Sequence, residues 1–551
     1  MTRAILALAL LVGAATGQAQ TTVETGSGTA TLLPAGARNG VAVLDADGGT
    51  LRAGPILVEV APNGTVTIPG RAAAFDPATA LDARVFALDA RDGVVVAGLG
   101  FNDVTADADQ PPATAAGFAV STDGGQSYVY RFPPLDQSRD TTVTYGVSTL
   151  PAIPSTISQL AAPLDVALSP GADTVYSANL FGGLRRSTDA GATWQRVVLP
   201  PDSLLVLDPR EPYDFLYNPD IRIPIGFVGG DPDQPVLAQF SENYVALSVV
   251  VDEAGTVWAG TNGGLNRSVR VEGAEDFAWV RYTDAILGGA LPGNQVFALE
   301  TRPVADGRDE VWAVCRNSGN PFTQGEEEAG VAVWRGDDEE GLAVFETVLL
   351  GVTAEDVAFD DARAYVAATD GLYVSDDDGA TWRVVRVFRD AAGRTLPVGP
   401  RARTVATTPG VLWVGVSSQS LSGGQDPSAG LLRSTDGGQT WELFRADVRP
   451  QAEGDGARPV DVYAYPNPFN PRNGDLRVRL DLASPSDVTI RIYDVGMNLV
   501  RTLDAPGRPA GPNEVFWDGQ SDSGLRVANG AYIYTVEAAG ERFSGRILVI
   551  Q

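Results

Sequence analysis

Short apolar runs separated by Gly, Asp and Asn turns recur along most of the chain. VVVAGLG (Val94–Gly100), TVYSANL (Thr174–Leu180), TVWAGTN (Thr256–Asn262), EVWAVCRN (Glu310–Asn317), AYVAATD (Ala364–Asp370) and VLWVGVS (Val411–Ser417) are versions of one theme. VFALDARDG leads into the first, ALSVVVDEAG into the third and VFALETRPVADG into the fourth, each an apolar run closed by an acidic or glycine turn. Runs of this length, rich in Val and bounded by turn residues, predict β-strands. Each repeat unit reads strand, turn, strand, loop, strand, turn, strand.

A second pattern follows four of these runs. It is Ser121, Asp123 and Gly125 in STDGGQSY; Ser187, Asp189, Gly191, Thr193 and Trp194 in STDAGATW; Ser375, Asp377, Gly379, Thr381 and Trp382 in SDDDGATW; and Ser434, Asp436, Gly438, Thr440 and Trp441 in STDGGQTW. The chemistry fits a turn. An Asp side chain accepts hydrogen bonds from turn amides, Gly takes a positive φ, hydroxyls bridge turn to strand, and Trp adds buried area. The four aspartates are separated by 66, 188 and 59 residues. The middle gap holds about three units, so two unmarked units sit inside it, at Thr256 and Glu310. Six four-stranded units therefore run from Ala83 to Phe444. An all-β fold is expected: a β-propeller of six to eight blades, with seven preferred. The strand-rich segment within residues 20–75 is a candidate extra blade, closing strand or lead-in, and residues 76–446 form the propeller.

Pro133–Ala162 and Pro200–Asn243 interrupt this rhythm with Pro- and Asp-rich sequence. Such stretches on a rigid scaffold are candidate binding loops. Residues 447–459 read as a polar linker. Beyond it, residues 460–551 alternate in LRVRLDL, VTIRIYDV, YIYTVEA and RILVI. About seven short strands in roughly ninety residues predict an Ig-like β-sandwich.

Composition narrows the chemistry. The formal net charge is −29, and all 40 basic residues are Arg. A polyanion repels nucleic acid and anionic membranes, so neither is an expected partner. There is no His and a single cysteine, Cys315. Ser-His-Asp and Cys-His catalysis, imidazole-built metal sites and an internal disulfide are excluded within one chain. Carboxylate chemistry and oxygen-ligand metals remain. No cofactor is expected; the acidic turns Asp45–Thr50 and Arg335–Gly341 are candidate Ca²⁺ ligands without EF-hand spacing. No catalytic residue is assigned. The first 19 residues, with Arg3, an apolar run from Ala4 and small residues at Gly17 and Ala19, predict a secretory signal peptide. No later segment is long and apolar enough to be a transmembrane helix.

The Ser-x-Asp-x-Gly-x-Thr-Trp units resemble the Asp-box, or BNR repeat, of sialidases and many secreted propellers. That resemblance implies a structural hairpin between the third and fourth strands of a blade. Arg222-Ile223-Pro224 is similar to the Arg-Ile-Pro element of sialidases, but it follows the second Asp-box where that family places it before the first.

The C-terminal region resembles the type A sorting domain of the type IX secretion system and the related Ig-like domain of flagellar hook-capping proteins. The residues that carry this likeness are Tyr465, Pro466, Asn467, Pro468 and Phe469 in YPNPFNP; Trp517, Asp518 and Gly519; Gly530 and Tyr532 in NGAYIY; and Arg546 near the end. In that family the terminal position is basic, whereas here it is Gln551. The resemblance implies a Bacteroidota-like bacterium, passage through the periplasm, the type IX secretion machinery as partner, and a secreted or outer-membrane-surface location. The expected function is a non-catalytic binding or scaffold protein with an extracellular glycan or protein ligand. The alternative is an extracellular carboxylate-dependent glycoside hydrolase, sialidase-like or otherwise polysaccharide-degrading.

Overall fold

The structure is a computed structural model. It describes residues 84–444 and 462–550 apart from short gaps and the longer stretches 103–112, 219–240, 319–326 and 417–429; before residue 84 it describes only strand backbone. The signal segment, the 447–459 linker, Pro466 and Arg222–Pro224 lie outside the described residues.

Seven antiparallel four-stranded repeats succeed one another, each ordered from its first strand outward. We number the blades I to VII by their first strands: Val43–Asp47, Arg84–Arg91, Pro163–Leu168, Ala246–Val251, Gln295–Pro303, Ala354–Phe359 and Ala402–Thr408. These first strands neighbour each other in order, and that of blade I lies between those of blades II and VII. The ring is therefore a closed seven-bladed propeller, and the N-terminal segment supplies the blade that closes it. Closure hides the sheet faces between blades and leaves only short outer edges.

In blades II to VII the first strand carries a β-bulge near its start, between Val85 and Ala87, Pro163 and Asp165, Ala246 and Ser248, Val296 and Ala298, Ala354 and Asp356, and Ala402 and Thr404. A bulge re-aims a side chain and bends its strand. In blades III, IV and VI the residue after the bulge is polar and bonds to the next blade: Asp165 to Val249 N, Ser248 to Val296 O and Asp356 to Thr404 Oγ1. The middle strands are apolar on both faces because a blade lies on each side. Val175–Asn179, Val257–Thr261 and Ala364–Ala368 are buried throughout. Gly260 shows how tight the contact is: a Cβ there would meet Ser248 Oγ at 2.2 Å and Val296 O at 2.6 Å.

The Pro- and Asp-rich stretches are not free loops over most of their described length. Thr142–Tyr145 pairs with Ser148–Pro151. Val206–Leu207 adds a fifth strand to the outer edge of blade IV, on Ala278–Tyr282. Tyr145, Leu150, Leu207 and Tyr217 join the core of blades III and IV, and the Tyr145 hydroxyl donates to Phe277 O at 2.8 Å. Asp136 sits almost wholly buried between Arg185 (2.8 Å) and Arg196 (2.7 Å). Burial alone would raise the Asp136 carboxyl; the hydrogen bonds and charge of these arginines bring it below the ordinary carboxylate range. Tyr and Leu in this segment find a core because they brace two blades from outside.

The C-terminal domain is a sandwich of two sheets. One joins Val462–Tyr465, Leu476–Leu482 and Gly511–Trp517; the other joins Leu499–Arg508, Ser486–Tyr493, Gly530–Ala538 and Glu541–Val549. The period-two alternation seen in the sequence buries Val478, Leu480, Ile490, Ile492 and Val536 between them.

Candidate functional site at one end of the ring axis

The four Asp-boxes share one set of bonds. In blade VII, Ser434 Oγ donates to Asp436 Oδ1 (2.7 Å) and accepts from Gly438 N (2.9 Å). The Asp436 carboxylate also accepts from Gln439 N (3.0 Å), Thr440 N (2.9 Å) and Thr440 Oγ1 (2.6 Å). Asp123, Asp189 and Asp377 repeat this with Ser127, Thr193 and Thr381. Hydrogen bonds from Thr193 hold the Asp189 carboxyl down at about 2. Gly125, Gly191, Gly379 and Gly438 all have φ between 76° and 88°, as a tight turn demands.

Two further features of the boxes are not visible in the motif. The residue before each glycine is also left-handed, and it is Gly124, Ala190, Asp378 or Gly437. An arginine of the preceding blade also donates to its carbonyl in three boxes: Arg131 to Ala190 O (3.1 Å), Arg335 to Asp378 O (3.1 Å) and Arg383 to Gly437 O (2.7 Å). The box aromatics reach backward as well. Trp194 lies 4.8 Å from Phe118 of blade II, and Trp382 donates to Val348 O of blade V at 2.8 Å. The boxes are fasteners between blades. Their serines, aspartates and threonines are occupied by each other. Blades IV and V, without boxes, use a different clasp: Arg267 sits between Trp258 and Trp334 and pairs with Asp337 at 2.8 Å.

The YPNPFNP segment has a similar structural use. Asn467 donates to Arg546 O and accepts from Leu548 N, both at 2.8 Å. Phe469 exchanges backbone bonds with Leu548 and Ile550, and its ring packs 5.6 Å from Trp517. Tyr465 bonds Glu514, Asp518 accepts from Gln520 N, and Tyr532 donates to Ala528 O. Gly519, at φ 74°, passes so close to Pro471 that a Cβ would meet it at 2.6 Å. Gly530 begins the strand after this turn, and Arg546 is exposed on the last strand.

Chemistry concentrates on the first strands. Asp89, Asp165, Glu300 and Asp356 lie there, within electrostatic reach of one another. Asp165 Oδ1 accepts from Val166 N (2.9 Å), and its Oδ2 accepts from Val249 N of blade IV (2.8 Å). Asp356 Oδ2 accepts from Thr404 Oγ1 (2.7 Å) and Val405 N (2.9 Å) of blade VII, and its Oδ1 from Val357 N. Asp89 accepts from Leu168 N of blade III. Among the described residues Glu300 accepts from the adjacent Thr301 N (3.0 Å), and its side chain is exposed. The protein packed around the axis strips Asp165 and Glu300 of hydration, even though the Glu300 side chain still meets solvent, and pushes both up to about 8, with neighbouring carboxylates adding to it. Burial likewise raises Asp356, to about 6, against the bonds from blade VII. Among the described residues no group of three or more Asp, Glu or Cys is placed to hold a metal ion. Asp338 of the Arg335–Gly341 turn instead accepts from Glu340 N and Leu342 N. Cys315 is fully buried, and burial lifts its thiol to about 12.

Beside this belt, at the end where the first strands begin, Glu355 is buried among three arginines. Arg401 approaches at 2.7 Å, Arg316 at 3.2 Å and Arg403 at 3.9 Å. Arg316 also donates to Ala354 O and stacks 3.6 Å over the Phe297 ring. Glu355 and Arg403 occupy the bulges of blades VI and VII. The sequence signal was charged residues at the start of a strand that turns apolar, in TAEDVAF and RARTVAT.

Residues 469–541 match the FlgD Ig-like domain family, and residues 432–443 match the BNR/Asp-box repeat. No curated protein matches the chain. Among solved structures, the chain is similar to PorZ, an essential bacterial surface component of the type IX secretion system of Porphyromonas gingivalis. Identity is 14%, covering 97% of this chain and 68% of that one, at a TM-score of 0.36. YCF48 from Cyanidioschyzon merolae is 16% identical over 69% of this chain and 94% of its own, at a TM-score of 0.36. FlgD from P. aeruginosa is 23% identical over 13% of this chain and 60% of its own, at a TM-score of 0.12. The fold is defined by the strand pairing described above rather than by these likenesses.

Proposed function

We propose that this protein is a secreted or surface-displayed, non-catalytic binding scaffold, exported by the type IX secretion machinery through its C-terminal Ig-like domain. The observation that carries the non-catalytic reading is how the axial carboxylates are used. A glycosidase needs two carboxyl groups facing one substrate bond, one to protonate and one to attack or activate water. Both oxygens of Asp165 and both oxygens of Asp356 are engaged by backbone amides or a hydroxyl, partly from the next blade. Among the described axial carboxylates Glu300 is the one without a bond across blades, and one carboxyl is half of the machinery. The glycoside hydrolase reading keeps one feature in its favour, an axial carboxyl that loss of hydration and neighbouring carboxylates raise above the ordinary range.

The export reading rests on the sorting-domain motifs and on the FlgD Ig-like match. Its test is a chain truncated before Val460, expressed in a bacterium that has the type IX machinery. The full chain should reach the cell surface or medium, while the truncation accumulates in the periplasm with its propeller intact to limited proteolysis. Export of the truncation at the level of the full chain would refute it.

A further inference from the structure

We infer that Arg316, Arg401 and Arg403 form a site, at the end of the ring axis where the first strands begin, for the carboxylate group of a small ligand. The inference rests on the binding-scaffold reading and names the chemistry that such a scaffold would recognise. The first observation is a local charge count. Three guanidinium groups converge on the single carboxylate of Glu355, in a chain of formal net charge −29. The nearby Asp356 offsets part of that positive charge through space, but its two oxygens are bound to Val357, Thr404 and Val405 and make no ion pair with the three guanidinium groups.

The second observation is unfilled hydrogen bonding. Among the described residues the buried Nε atoms of Arg401 and Arg403 have no partner. A buried donor without a partner is costly; other arginine Nε atoms, those of Arg186 and Arg501 among them, share that condition singly, whereas here two fall in one cluster. Burial and the neighbouring positive charges also hold the Arg403 guanidinium below its usual basicity, against the pull of Glu355. The three side chains nevertheless keep 22%, 25% and 17% of their surface open to solvent, so a small anion can reach them.

Arginine forks present two parallel N–H groups that match a carboxylate better than a spherical ion. The positions are also held firmly. Arg316 is fixed by Ala354 O and by the Phe297 ring, and Arg403 by its place in a bulge. Little conformational freedom is left to lose on binding, which favours a preformed site. Glu355 is the resident counter-ion that keeps the arginines together when no ligand is bound.

The test uses the purified full chain lacking residues 1–19 and isothermal titration at fixed ionic strength. The probes are galacturonate, an N-acetyl amino acid, sulfate and neutral galactose. Galacturonate or the N-acetyl amino acid should bind, and which binds tighter identifies an acidic sugar or a peptide terminus as the source of the carboxylate. Galactose should not bind, and sulfate, whose oxygens an arginine fork can also grip, should bind no tighter than the better carboxylate probe. Arg401→Gln and Arg403→Gln should each weaken carboxylate binding about tenfold with unchanged melting temperature. Glu355→Gln removes the resident anion and should tighten binding several-fold, a gain that misfolding does not produce. Carboxylate probes that fail to bind, sulfate that binds tighter than either carboxylate, or variants that bind like the parent would each overturn the inference. A neutral glycan that binds while carboxylates do not would overturn this site and leave the scaffold reading standing. Turnover of any probe would overturn that reading instead.

Discussion

Replacing Asp436 with Ala tests whether the Asp-box is a fastener. The substitution removes one carboxylate that accepts from Ser434 Oγ, Gln439 N, Thr440 N and Thr440 Oγ1. A hydrogen bond to a charged acceptor contributes about 1.5–3 kcal/mol when buried, but this turn is half open and water can take over several of the donors. The net loss is therefore about 2 kcal/mol. For a ring of this size that corresponds to a fall of roughly 2–4 °C in melting temperature. Trp441 is buried and packs 5.2 Å from Phe388, so Trp441→Ala should cost more, about 3–5 kcal/mol. Calorimetry gives the melting temperatures. Hydrogen exchange at the Gln439 and Thr440 amides gives the local loss, and those two amides should lose protection first. Asp436→Ala with unchanged melting temperature and unchanged exchange would refute the fastener. A loss of ligand binding without a loss of stability would move the box from structure to function.

Three other outcomes follow from the same contacts. Glu300 and Asp165 hold their protons to about pH 8 in the folded ring and release them near pH 4 when unfolded, so the folded state binds more protons across that window and stability falls as pH rises through it. Thermal scans should show the ring less stable at pH 8.5 than at pH 5, and Glu300→Gln should flatten that slope by about 1 kcal/mol, a figure reduced for screening by water along the axis; an unchanged slope contradicts the assignment. Arg383→Met removes the bond to Gly437 O between blades VI and VII and should cost about 1 kcal/mol, read by denaturant unfolding. Asn467→Ala frees the last strand at Arg546 and Leu548, and proteolysis should clip the C-terminal domain there faster while leaving the propeller intact.

How much of this was legible in the sequence depends on the range of the interactions. The box bonds all close within eight residues, so Ser434, Asp436 and Thr440 announce themselves by spacing. The alternation of Ile490, Ile492 and Val536 announces a sheet face for the same reason. What the boxes fasten to was not legible, because Arg131, Arg335 and Arg383 come from the preceding blade and are ordinary surface arginines in the sequence. Pro133–Ala162 looked like a loop because Pro and Asp mask its pattern; Tyr145 and Leu150 become core only when blades III and IV are brought beneath them. The place of Val43–Asp47 between the first strands of blades II and VII is a property of the closed ring and of no local segment. Arg316, Glu355 and Arg403 stand 39 and 48 residues apart and meet only because neighbouring blades bring the end of a second strand beside the bulges of the next two first strands.

The central claim is that the ring binds and does not turn over its ligand. The most direct measurement is product-resolved chromatography of acidic and neutral polysaccharides incubated with the full chain lacking residues 1–19, in parallel with Glu300→Gln. The account predicts no new reducing ends from either protein over the background, while the parent still retains a ligand on an affinity column. Oligosaccharide products from the parent that vanish in Glu300→Gln, with folding intact, would contradict it and make the axial carboxyl a catalytic acid.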